Sequence, residues 1–179
     1  MADMIRLVKK DEKGIKQYTV EKVWSHNSNV CVVLMNHSSG CRCGYVGIPI
    51  KHHLFGKDYN QDCKYLQELR EALTHETIGK RGIISVICWD GKGVSPEILF
   101  DVHGGLTYSG EAGEYPIEMK DVWWFGFDCA HSGDRHEIDQ IFPESSREFY
   151  TNFSGDIVRS FDYCVSECES LSNQLEELK

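Results

Sequence analysis

DIVRSFDYCVSECESLSNQLEELK, residues 156–179, is the stretch that decides the fold. Ile157, Phe161, Cys164, Cys168, Leu171, Leu175 and Leu178 recur at alternating steps of four and three, which places them on one face of an α-helix. Asp156 stands where an N-cap is expected, and Gly155 interrupts whatever precedes it. The stripe is too short to insist on a coiled coil. It predicts a helix lying across a sheet, with a homodimer through 157–178 as the competing use of the same face.

The partner sheet is legible upstream. Residues 5–8, 18–24 and 30–35 are short runs rich in β-branched and aromatic side chains, separated by the turns HNSN (26–29) and NHSSG (36–40). Residues 43–50 read as another strand, stopped by Pro49, and KHHLFGKDYNQD (51–62) as a loop. Leu66, Leu69 and Leu73 predict a short amphipathic helix over 63–74. Residues 83–89 and 98–103 are expected as central strands around the turn DGKG (90–93), 122–129 as an aromatic-rich strand, and 137–142 as a helical turn. The whole span 1–179 therefore reads as a single α+β domain, a mainly antiparallel sheet with the long C-terminal amphipathic helix packed across it.

Composition narrows the function classes. The net charge of −9 argues against sequence-independent nucleic-acid binding, which needs Lys and Arg to displace counterions. It leaves room for a basic protein partner. No apolar run approaches the roughly 18 residues of a membrane span, and the opening MADMIRLVKKDEKG lacks the apolar core of a secretory signal. The eight cysteines are accordingly expected as mostly reduced thiols in a cytosolic protein.

Two segments carry residues that packing alone does not call for: HGGLTYSG (103–110) and WWFGFDCAHSGD (123–134). Asp and His resist burial unless paired, and Gly marks close backbone approach. If 98–103 and 122–129 are neighbouring strands, His103 and Asp128 meet at strand ends, with His131 and Asp134 on the loop that follows. These four are the candidate acid–base residues, and His103, Asp128 and His131 the candidate ligands of a divalent metal. The structural alternative has both aspartates capping turns and the histidines satisfying buried carbonyls. Gly104 and Gly105 could offer amides to an anion, with Thr107 and Tyr108 as further donors. Trp124 could stack on a base, and Lys57 could add a positive charge. Against these stand a hairpin glycine pair and a core role for the aromatics Trp123, Trp124, Phe125, Phe127, Tyr108 and Tyr45. Two further possibilities are a zinc site from Cys41, Cys43, Cys129 and His131, and a loop bearing His52, His53, Lys57 and Asp58 that closes on Gly56.

The blocks CGYVGIP (43–49), H-x-L-F-G-K-D-Y (52–59), V-H-G-G-L-T-Y-S (102–109), WWFGFDCAHSGD (123–134) and FDYCVSECESLSNQL (161–175) resemble a family of small proteins spread through bacteriophage and prophage genomes. The likeness runs from about residue 41 to the C-terminus. Residues 1–40 lie outside it as an N-terminal β extension, and 61–97 is an apparent insertion. The resemblance implies a phage accessory protein in the host bacterial cytoplasm and implies no activity. Three functions follow as expectations. One is a counter-defence inhibitor of the anti-CRISPR kind, an acidic body docking on a basic RNA-guided nuclease or another host defence protein. Another is a pocket that sequesters or hydrolyses a nucleotide-like signal through His103, Asp128, His131 and Asp134, with Lys51, Lys57, Arg135 or Arg147 offsetting the acidity. The last is an interaction domain with no ligand.

Overall fold

The computed structural model describes residues 8–10, 16–37, 39–68, 93–111, 113, 115–137 and 155–178. Six strands form one antiparallel sheet: β1 (Val8–Lys10), β2 (Lys16–His26), β3 (Asn29–Asn36), β4 (Cys41–Pro49), β5 (Tyr108–Glu111) and β6 (Val122–Asp128). Their order across the sheet is β1-β2-β3-β4-β6-β5. Three helices are described: α1 (Lys64–Glu68), α2 (Pro96–Leu99) and α3 (Phe161–Glu176). No helix among the described residues is long and apolar enough to cross a membrane.

β3, NVCVVLMN, shows why the sheet is central. Its β-branched side chains alternate between two buried faces. Cys31 and Val33 join Val46, Ile48, Phe125 and Phe127 beneath α3, whereas Val32 and Leu34 join Tyr18, Val20, Cys43, Tyr45 and Trp124 on the reverse. The reverse face is covered by Tyr115, Ile117 and Met119 of the segment before β6. The residues expected as an N-terminal extension thus supply β1, β2 and β3 of the same sheet.

α3 delivers the expected packing. Cys164, Cys168, Leu171 and Leu175 are all fully buried, and each leucine contributes on the order of 1.5–3 kcal/mol by leaving water. The apolar stripe lies against β3 and β4. Gly44 lets the helix come close. A Cβ there would lie 2.4 Å from the Phe127 ring and 2.7 Å from Cys168 Sγ. The β2–β3 turn clasps the far end of the helix, Asn29 Nδ2 donating to Ser172 Oγ at 3.0 Å and Ser28 Oγ to Glu176 Oε2 at 2.7 Å.

Two boundaries differ from the sequence expectation. α3 starts a turn later than Asp156 suggests. Ser160 is the N-cap, its side chain accepting from the Tyr163 amide at 3.1 Å. Ile157 is instead 58% exposed and forms an isolated parallel bridge with Asp134. Backbone bonds to the Gly133 carbonyl and from the Arg135 amide, both 2.9 Å, hold residue 157 extended.

The second difference is at 98–103, which is not a strand. Ser95 and Pro96 open the short helix α2, proline presetting the helical φ, and Phe100 and Val102 are buried because they pack beneath α3. A buried apolar run without ladder partners has the same sequence signature as a central strand. The neighbours of β6 are β4 and β5. The expected strand at 83–89, residues 90–92 of the expected turn, the part of the expected helix after Glu68 and the helical turn after 137 lie outside the described residues, as does Arg147.

The loop 51–62 is anchored from inside. The His52 Nδ1 accepts from the Leu54 amide at 3.0 Å, so its Nε2–H donates to the Leu175 carbonyl at 2.9 Å. Trp123 Nε1 donates to the Lys57 carbonyl at 2.9 Å, which fixes the tip.

Candidate functional site

Asp134 is the hub of the polar cluster. Its carboxyl is 1% exposed and accepts three bonds: Arg159 Nε on Oδ1 at 2.6 Å, and His103 Nε2 at 2.7 Å and the His131 amide at 3.0 Å, both on Oδ2. Burial opposes its ionisation, but the hydrogen bonds from Arg159, His103 and the His131 amide outweigh it. They hold the carboxyl below its ordinary value. A carboxylate only accepts, so His103 Nε2 carries a hydrogen. The other His103 nitrogen lies 3.0 Å from the Tyr163 hydroxyl. Burial and the nearby Glu167 carboxylate push that phenol up to about 12, so it keeps its proton at neutral pH and can donate.

The glycine pair serves this cluster. Gly104 has φ +66°, and a Cβ there would lie 2.1 Å from His131 Cε1, so the bare backbone backs the imidazole. The Gly105 amide closes a turn on the Val102 carbonyl at 2.9 Å. The His103 amide donates to Glu167 Oε2 at 2.7 Å. A carboxylate of the chain thus meets the amide that precedes the glycine pair. His103 arrives by this turn, not by the strand pairing that the sequence suggested.

Asp128 ends β6 on the rim. It accepts from Thr107 Oγ1 at 2.8 Å and the Ala130 amide at 3.1 Å, and lies 3.9 Å from His131 Nδ1. His131 Nδ1 is buried without a hydrogen-bond partner among the described residues, which ordinarily costs about 1–3 kcal/mol. One nitrogen from each of His103 and His131 and a carboxylate oxygen of Asp134 all lie within 4.8 Å of one another. Asp134, rather than Asp128, stands with the two histidines.

The other candidates are dispersed. Trp124 is fully buried on the reverse face and presents no stacking surface. Tyr108 packs edge-on against Tyr45 and Tyr115 on that same face. Lys57 is on the exposed loop beside β6. The cleft lined by Cys41, Arg42, Cys129, Arg135, Glu137 and Arg159 is too narrow for a water molecule.

The zinc quartet does not form. Cys43 and Cys129 sit in the cores on opposite faces of the sheet, while Cys41 Sγ lies 3.0 Å from His136 Nδ1 and Cys129 Sγ 3.6 Å from Cys164 Sγ. The described cysteines are all free thiols, and burial pushes Cys31, Cys41 and Cys43 up to about 12. They are packing groups, not nucleophiles, at neutral pH.

Arg159, Tyr163 and Glu167 were not among the sequence candidates. Tyr163 and Glu167 are four apart and each immediately precedes a stripe cysteine, so they share the flank of the buried face. That spacing was the available signal.

A separate concavity of about 370 Å³ opens at the other end of α3, lined by Leu99, Phe100, Asp101, Gln174, Glu177 and Leu178. Set against known proteins, the chain matches no family model, no curated protein and no solved structure.

Proposed function

We propose that this chain is an accessory protein of phage type that inhibits a host antiviral defence in the bacterial cytoplasm by docking on a basic partner. The partner of matching chemistry is the nucleic-acid channel of an RNA-guided nuclease. The observation that carries this reading is the groove at the end of α3. Leu99, Phe100 and Leu178 give it an apolar floor and Asp101 and Glu177 an acidic rim. It adjoins a helix that bears Asp162, Glu169 and Glu176 and no Lys or Arg. Arg42 and Arg159 are already neutralised by Glu21 and Glu137 and by Asp134. An apolar anchor within a ring of one charge is the composition of a docking patch for a Lys- or Arg-bearing segment.

The test is binding of the full chain to purified guide-free nuclease at low and high salt, beside the double variant Asp101→Lys, Glu177→Lys. We expect salt-sensitive binding and nuclease inhibition, with affinity at least about tenfold weaker in the variant. No binding by the parent chain, or equal binding by both, overturns the reading.

A second reading keeps the nucleotide-like ligand and places it over the exposed edge of His131 and Asp128, whose side chains are 28% and 35% exposed. Native mass spectrometry of gently purified protein tests it. A nucleotide-sized mass lost on His131→Ala supports it, and an unliganded mass rejects it.

A further inference from the structure

We propose that His103, His131 and Asp134 bind a single divalent transition-metal ion, with zinc the best match to the donors. This inference stands apart from the docking reading and uses none of the residues that line its groove.

Metal–nitrogen and metal–oxygen bonds of about 2.0–2.2 Å put the donors around a tetrahedral ion roughly 3–3.5 Å apart. In the protein His103 Nε2 is 2.7 Å and His131 Nδ1 3.9 Å from the same oxygen, Asp134 Oδ2, so the spacings bracket what an ion requires. Small side-chain rotations, not a loop rearrangement, would admit it. Two imidazoles and a carboxylate suit zinc better than magnesium or calcium, which favour all-oxygen sites.

The orphaned nitrogen is the independent indication. His131 Nδ1 is buried, faces Asp128 and Asp134 at 3.9 Å and has no hydrogen-bond partner among the described residues. An ion would satisfy it.

The surroundings resemble the outer layer of a metal site, where partners on the far side of each ligand fix its orientation. Tyr163 lies on the second nitrogen of His103, Arg159 holds the second oxygen of Asp134, and Gly104 backs the His131 ring. With the ion bound at Nε2, the neutral His103 imidazole keeps its hydrogen on Nδ1, where the Tyr163 oxygen accepts it. Three protein ligands leave a fourth position for water or Asp128. The Arg159 charge opposes the ion and limits its affinity.

The full chain, stripped by chelator and kept reduced, is titrated with Zn²⁺ and with Co²⁺ as a spectroscopic probe, and Mg²⁺ serves as control. We expect one ion per chain, cobalt d–d bands without a thiolate charge-transfer band, and no Mg²⁺ response. His131→Gln, which loses no side-chain hydrogen bond seen here, should weaken binding at least about tenfold. His103→Gln should do the same, and its folding is checked by circular dichroism. Equal affinity in the parent and His131→Gln, a thiolate band, or no binding by the parent overturns the proposal.

Discussion

The two ends of α3 solve opposite problems. At the N-terminal end Arg159, Tyr163 and Glu167 turn toward the chain, and their partners are His103, Asp134 and the backbone of the glycine turn. At the C-terminal end Leu175 is buried, its carbonyl taken by His52, yet Glu177 remains exposed beside an open groove. Charge is consumed internally at one end and displayed at the other. The difference shows that acidic composition by itself does not locate an interaction surface. Glu167 and Asp134 count toward the net charge of −9 but are satisfied within the fold, whereas Asp101 and Glu177 face solvent.

Three measurements would break or sharpen that contrast. The largest effect is expected for Asp134→Ala, which leaves Arg159 and His103 without their acceptor. Loss of one partner from a buried pair costs about 3–5 kcal/mol, read from urea unfolding. A loss below about 1 kcal/mol would mean that the N-terminal end is held by apolar contacts alone. Leu175→Ala follows, at about 2–5 kcal/mol with its cavity. Because it lies under the open end, it tests whether that end is as firmly packed as its neighbour, and an effect matching a surface substitution would deny it.

The smallest effect is the acid limb of stability. The Asp134 carboxyl is held below its ordinary value of 3.8, so the unfolded chain takes up its proton first as pH falls. The stabilisation from this group is present above about pH 4 and is lost as pH drops through the lower, folded value. Asp134→Asn should flatten that limb in pH-dependent thermal melts, and an unchanged limb would remove Asp134 from the ionised network.

What the sequence disclosed follows from residue type in the strands and from periodicity in the helix. The β-branched and aromatic runs at 30–35 and 122–128 and the four-three stripe of α3 each reflect burial against neighbours, and each is legible. Residues 98–103 were misassigned because burial under a helix and burial in a sheet select the same apolar side chains. The helix start was displaced because Asp156 and Ser160 are both good caps, and only the bridge between Asp134 and Ile157 decides between them. His103, His131 and Asp134 were recognisable as polar residues in unsuitable places. Arg159, Tyr163 and Glu167 were not, since a polar residue on a helix needs no explanation until its partner is known. Gly104 carried a real signal, and the structure puts the His131 ring directly against it.

The sheet closes on its two shortest members, β1 with three residues and β5 with four. A long, flat border would leave a row of free amides and carbonyls able to recruit another chain. Among the described residues each border is brief, and Glu111 stands exposed on one of them. Within the described residues, strand addition is thereby left little border on which to start.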